Sequence, residues 1–188
     1  MQNKIIVSLA SLLLCLSACQ NDNTEKGGFD GGSSKNVTHS TKQTTETKDE
    51  SSIEWNRVNA EREDENIDFF TRRYGWKTQR LGNGLRIEML NEGVGEKIKT
   101  ENVVTVEYTT LLLTGDTVYS SRENGPKVFK VDKSEEMIGL NEAVKLMRKN
   151  GKAHVVIPSF LAYGVAGDGQ KIRGKASLAI TIEITDVQ

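Results

Sequence analysis

From Leu85 onward, four runs alternate apolar and polar side chains with a period of two, and this alternation limits the fold more than any other feature. Leu85-Arg86-Ile87-Glu88-Met89 is the first. In the second, Val104, Val106 and Tyr108 share one face while Val103, Thr105, Glu107 and Thr109 take the other. Ala153, Val155 and Ile157 repeat the scheme, and the last run sets Leu178, Ile180, Ile182 and Ile184 against Thr181, Glu183 and Thr185. Such segments are strands with one buried face, the pattern of antiparallel sheets. One stretch among them has helical spacing: Leu140, Ala143, Val144 and Met147 fall on a single stripe two turns long. A sheet with one apolar face and one short helix to cover it predicts an α+β domain in which the sheet curls around the helix. The 188 residues, 36% of them apolar, suffice for one such core. By the same alternation His154 falls on the outer face, where it is expected to be exposed.

The N-terminus has a different character. Lys4 precedes the apolar stretch Ile5 to Leu16, which is too short to span a bilayer as a helix and reads as a signal peptide over residues 1–18. Leu16-Ser17-Ala18-Cys19 resembles the lipobox of bacterial lipoproteins, which implies cleavage before Cys19 and acylation of that residue. Ordinary secretory cleavage after Ala18 is the alternative. Several acyl chains on one cysteine hold a protein to a membrane where one chain does not. The two cysteines, Cys15 and Cys19, both lie here, so the folded part has neither a disulfide nor a thiolate metal site. Gln20 after Cys19 does not resemble the aspartate that retains enteric lipoproteins at the inner membrane, so the expected place is the outer membrane, facing the periplasm.

Residues 19–50 are rich in Gly, Ser, Thr, Asn and charge, and cannot bury enough surface to order themselves. They read as a flexible tether from Cys19 with a reach of about 30 Å, and His39 within it as solvated. Ser51-Ser52-Ile53-Glu54 has the capping-box pattern. It predicts an N-terminal helix within residues 51–76, running from about 52 to 73, mostly polar with its apolar contacts near its ends. That helix is either an ornament packed on the main domain or a dimerisation arm. The main domain occupies residues 77–188, after the turn Gly82-Asn83-Gly84 is counted as its entry.

Several function classes are excluded. A net charge of −1 gives no electrostatic case for nucleic acid. Gly169 to Lys175 matches a phosphate-loop spacing, yet Ala176 stands where a hydroxyl is needed and a strand follows instead of a helix, so nucleotide binding is rejected. No Ser-His-Asp set, paired carboxylates or His-rich cluster supports hydrolysis, a metal or another cofactor.

Three stretches, VTVEYTTLLLTGDTVYSS (Val104 to Ser121), IGLNEAVKLMRKNGKAHVVIPSFLAYG (Ile138 to Gly164) and the closing ASLAITIEITDV, resemble an FKBP-type peptidyl-prolyl isomerase domain. With the lipobox, spacer and helix, the chain is also similar to the gliding-motility-associated isomerase lipoproteins of some gram-negative bacteria. The resemblance implies an FKBP-like curled antiparallel sheet wrapped around one short helix, and a partner in X-Pro segments of exported proteins. It assigns to Tyr163 a hydrogen bond to the carbonyl of the bound peptide, and to the loop from Gly164 to about Gly174 the role of a flap. The implied pocket comprises Tyr108 and Phe129 on its walls, Met137 and Ile138 before the helix and Leu140 at the base. Ile172 joins Tyr163 on the flap, and Val118, Tyr119 and Ile180 complete the cup.

Four positions depart from the family pattern. Strongly active relatives commonly carry aromatic residues where Val118, Leu140 and Ile180 stand, and aspartate where Tyr119 stands. Each lost ring removes about 1–3 kcal/mol of ligand contact, and Tyr119 is expected to narrow the cleft. Two readings follow: a weak membrane-anchored prolyl isomerase, or a non-catalytic chaperone or interaction module on the same fold.

Overall fold

The structure, a computed structural model, describes residues 43–188, with side chains described from Glu50 onward. The expected signal peptide, Cys15, Cys19, His39 and most of the tether lie outside the described residues. The element order is α1 (Gln43–Tyr74), β1 (Gln79–Arg80), β2 (Arg86–Asn91), β3 (Val94–Lys97), β4 (Val103–Leu112), β5 (Thr117–Ser120), α2 (Ser121–Asn124), β6 (Lys127–Lys130), α3 (Ile138–Lys145), β7 (Arg148–Lys149), β8 (Lys152–Ile157) and β9 (Leu178–Val187). The four alternating runs are β2, β4, β8 and β9, and the helical stripe is α3, with Met147 buried just beyond its end.

All strand pairs are antiparallel; the main sheet runs β1-β2-β8-β9-β4-β5, and β3 pairs with β7 in a separate two-stranded sheet. One edge of β4 is shared: its first half pairs with β6 and its second half with β5. Between them the ladder is open, and the Tyr108 amide is satisfied by Ser121 Oγ of α2 at 3.2 Å. The inward residues Val104, Val106, Val155, Leu178, Ile182 and Ile184 are all at most 1% exposed and pack on Leu140, Ala143 and Val144 of α3. Contact there is close. A Cβ on Gly139 would lie 2.3 Å from Ile157 Cγ2, so glycine alone lets α3 sit this near β8.

The outer face is not simply solvated. Val156 and Ala179, buried completely, meet Ile67 and Phe70 of α1 in a second apolar cluster. Arg86, paired with Val156 across the sheet, reaches from the same face to Asp64 at 2.8 Å and Asp68 at 2.7 Å. Glu63 accepts hydrogen bonds from the Ser159 amide at 2.6 Å and from Ser177 Oγ. The helix therefore packs through its C-terminal half, whereas Ile53, Trp55 and Val58 are exposed. Its start also differs from expectation. It begins at Gln43, so part of the expected tether is helical and Ser51 lies within the helix, because a capping box marks a permitted start and not a required one.

His154 corrects a second expectation. Its ring lies under Trp76, with centroids 4.0 Å apart and planes 2° from parallel. Nδ1 is 3.0 Å from Thr181 Oγ1. Alternation placed it on the outer face, but Trp76, following α1, covers that face.

Candidate active site

Register builds one wall. Ile180 of β9, Thr110 of β4 and Tyr119 of β5 are direct cross-strand neighbours, so their side chains form a row on the inner face. Met137 and Leu140 bring the start of α3 against it. The connection from β8 to β9 supplies Tyr163 and Ile172. Together they line a cavity of about 370 Å³, within the roughly 300–1,000 Å³ of small-ligand sites. Buried Val106, Leu140, Ile172, Leu178 and Ile180 make its interior apolar, and Asn124, Lys127, Asp168 and Gln170 give it a polar rim.

Tyr163 is placed by how β8 ends. Pro158 cannot continue the ladder, and a 3₁₀ turn over Ser159–Leu161 follows, with Leu161 buried in the core. The Gly164 amide closes back on Ser159 O at 2.8 Å with φ of +59°, a left-handed conformation that suits glycine. Tyr163 is thereby turned to the cavity. Its hydroxyl has no hydrogen-bond partner among the described residues. Burial, reinforced by the negative charges of Glu136 and Asp168, pushes its pKa up to about 12, so it remains a neutral donor. Met137 caps α3 without a side-chain hydrogen bond, and the Leu140 amide beside the cavity donates to the Met137 carbonyl at 3.1 Å.

Tyr119 does not fill the cavity. Its hydroxyl donates to Asp168 Oδ2 at 2.5 Å. That bond, with burial, raises the phenol's pKa. Burial opposes ionisation of Asp168, but hydrogen bonds from Tyr119 and from the Gln170 and Ile172 amides outweigh it and hold the carboxyl below its usual range. Lys127 is paired with Glu136 at 2.9 Å and lies 5.6 Å from the Tyr108 ring centroid.

Seven expected residues line the cavity: Tyr108, Tyr119, Met137, Leu140, Tyr163, Ile172 and Ile180. Three do not. Phe129, 5% exposed, is a core residue of β6. Ile138 begins α3 with its side chain 59% exposed. The ladder pairs Thr110 with Tyr119 and then Leu111 with Thr117, so Val118 is the extra residue of a β-bulge and packs into the core. The sequence reading missed Asp168. Gly167 and Gly169 beside it signal a turn, but its partner is 49 residues away.

Residues 94–185 match the family described as FKBP-type peptidyl-prolyl cis-trans isomerase, a span containing every residue that lines the cavity. Through this region the chain is similar to the FKBP-type peptidyl-prolyl cis-trans isomerase family. Over 106 residues it is 34% identical to a probable FKBP-type peptidyl-prolyl cis-trans isomerase FkpA of Neisseria meningitidis, covering 56% of this chain and 38% of that protein. Over 108 residues it is 33% identical to the outer membrane protein MIP of Legionella longbeachae, covering 57% and 46% respectively. The chain thus spans less than half the length of these curated relatives. The crystal structure of FkpA from Escherichia coli superposes with a TM-score of 0.60 and 27% identity, covering 82% of this chain and 75% of that one. The FKBP-type region begins at β3, so α1 and its contacts to Arg86, Ser159 and Ser177 involve residues that precede the matched span.

Proposed function

We propose that the protein is a peptidyl-prolyl cis-trans isomerase whose cavity receives the proline of an X-Pro segment. The observation that carries this is Tyr163: a neutral hydroxyl without a partner among the described residues, on the wall of a cavity with an apolar interior. Amide resonance sets a barrier of about 20 kcal/mol to rotation, and relaxation takes about 10–100 s. Resonance depends on charge separation, which an apolar interior solvates poorly. A fixed phenol that fits the carbonyl of the twisted amide better than that of the planar one stabilises the transition state selectively. No base or nucleophile is needed. A hundredfold acceleration requires about 2.7 kcal/mol, the scale of one such hydrogen bond with some burial.

Activity is modest in this reading, because Leu140 and Ile180 offer aliphatic surface where rings give stacking. The same observation supports the second reading, a binding module that keeps the cavity without the chemistry. NMR exchange measured on a series of X-Pro peptides decides between them. The isomerase reading expects line broadening that scales with enzyme concentration; binding without exchange supports the module.

The site of action follows from Cys19 in the lipobox-like Leu16-Ser17-Ala18-Cys19. Acylated there, the protein is held at the cell envelope and meets exported chains as they fold. Among the described residues no helix is long and apolar enough to cross a membrane. Mass spectrometry of the N-terminal peptide tests the acylation: an acylated Cys19 is expected, and an unmodified Cys19 would refute the anchor.

A further inference from the structure

The flap from Gly164 to Gly174 is a loop folded on itself. The Asp168 amide donates to Ile172 O at 3.0 Å, Gly167 to Tyr163 O at 3.2 Å, and Lys175 to Gly164 O at 2.7 Å. Asp168 divides its two oxygens between separate tasks. Oδ1 accepts from the Gln170 and Ile172 amides, each at 2.8 Å, and so shapes the loop. Oδ2 accepts from Tyr119 at 2.5 Å, and so attaches the loop to β5.

A second attachment lies beside the first. Lys171 Nζ donates to the Val118 carbonyl at 3.0 Å and sits 5.1 Å from the Tyr119 ring centroid. Val118 is the bulge residue, whose backbone is released from the ladder. Irregularity in β5 therefore supplies an acceptor for the flap. Both attachments come from adjacent residues of one short strand, while Ile172, next to Lys171, is pressed into the cavity wall at 3% exposure.

We propose that Tyr119 and Asp168 form a latch that holds the flap against β5 and thereby sets the width of the cavity between Ile172 and Tyr163. Both are positioning residues. The bond has fixed polarity, phenol to carboxylate, and a charge-assisted bond is about twice as strong as a neutral one. Only the kinetic consequence rests on the isomerase reading; the latch itself is a property of the fold.

Tyr119→Phe separates the two tasks of Asp168, since it removes the Oδ2 bond and leaves Oδ1 in place. In the full-length protein it is expected to raise amide hydrogen exchange at Asp168 and Lys175 about fivefold or more, with the β4–β9 ladder unchanged. For an X-Pro peptide the KM is expected to rise about fivefold, with kcat changed less than about twofold, as loss of one hydrogen bond that acts on binding predicts. Asp168→Asn keeps an oxygen for the two amides and turns an NH₂ to the phenol, so it recovers part of what Asp168→Ala loses. Unchanged flap exchange in Tyr119→Phe overturns the latch whether or not the wild type isomerises. If flap exchange rises while the wild type has no isomerase activity, the latch stands and the isomerase reading falls. An Asp168→Asn variant no better than Asp168→Ala counts against the latch.

Discussion

The indole of Trp76 lies flat on the imidazole of His154, ring centroids 4.0 Å apart. Burial under it lowers the histidine's pKa from 6.5, assisted by the charge of Lys152 and opposed by Glu88. The folded state thus binds a proton less readily than the unfolded chain, and the stabilisation from the neutral ring is present above about pH 6.5 and lost as pH falls through the folded pKa. Urea midpoints measured from pH 8 to 5 should fall more for the wild type than for His154→Gln. A constant difference between the two across that range would show that the ring does not titrate as described.

Arg86 fixes α1 to the sheet from a side chain only 3% exposed, but its partners Asp64 and Asp68 are 28% and 55% exposed. Solvent screening limits what such a pair contributes. Arg86→Met keeps the apolar stem and removes the charge-assisted bonds, with an expected loss of about 1–3 kcal/mol. Urea unfolding gives the value. A variant as stable as wild type would mean that Ile67 and Phe70 alone hold the helix.

Leu140 stands at the cavity with 4% of its surface exposed. Leu140→Trp adds ring area to face a proline and should raise kcat/KM about threefold to tenfold, the effect of roughly 1 kcal/mol of aromatic contact. Peptide kinetics on the variant read this directly. A fall in kcat/KM would indicate that the ring occupies the space the proline needs.

The four long strands and α3 were legible because each buries one face, and burial on one face leaves a period in the sequence. β5 and β6 left none: each spans four residues and shares the edge of β4 with the other. The seven lining residues that were expected follow from the resemblance, and the resemblance misplaces Val118 because a bulge in β5 packs it into the core. His154 was assigned to the correct face, but strand periodicity carries no record of what covers that face. Asp168 was invisible for a related reason. Its neighbours specify a tight turn, whereas its value to the site comes from Tyr119, which the chain brings back only through the fold.

Exchange spectroscopy on an X-Pro peptide, with wild type and Tyr163→Phe side by side, tests the central claim most directly. The wild type should accelerate cis-trans exchange, with no loss of rate between pH 7 and about pH 10, since the phenol keeps its proton up to about 12. Tyr163→Phe should reduce the acceleration about tenfold, the equivalent of roughly 1.4 kcal/mol for one hydrogen bond. Equal acceleration by both proteins would contradict the role given to the hydroxyl, and no acceleration by either would contradict the isomerase itself.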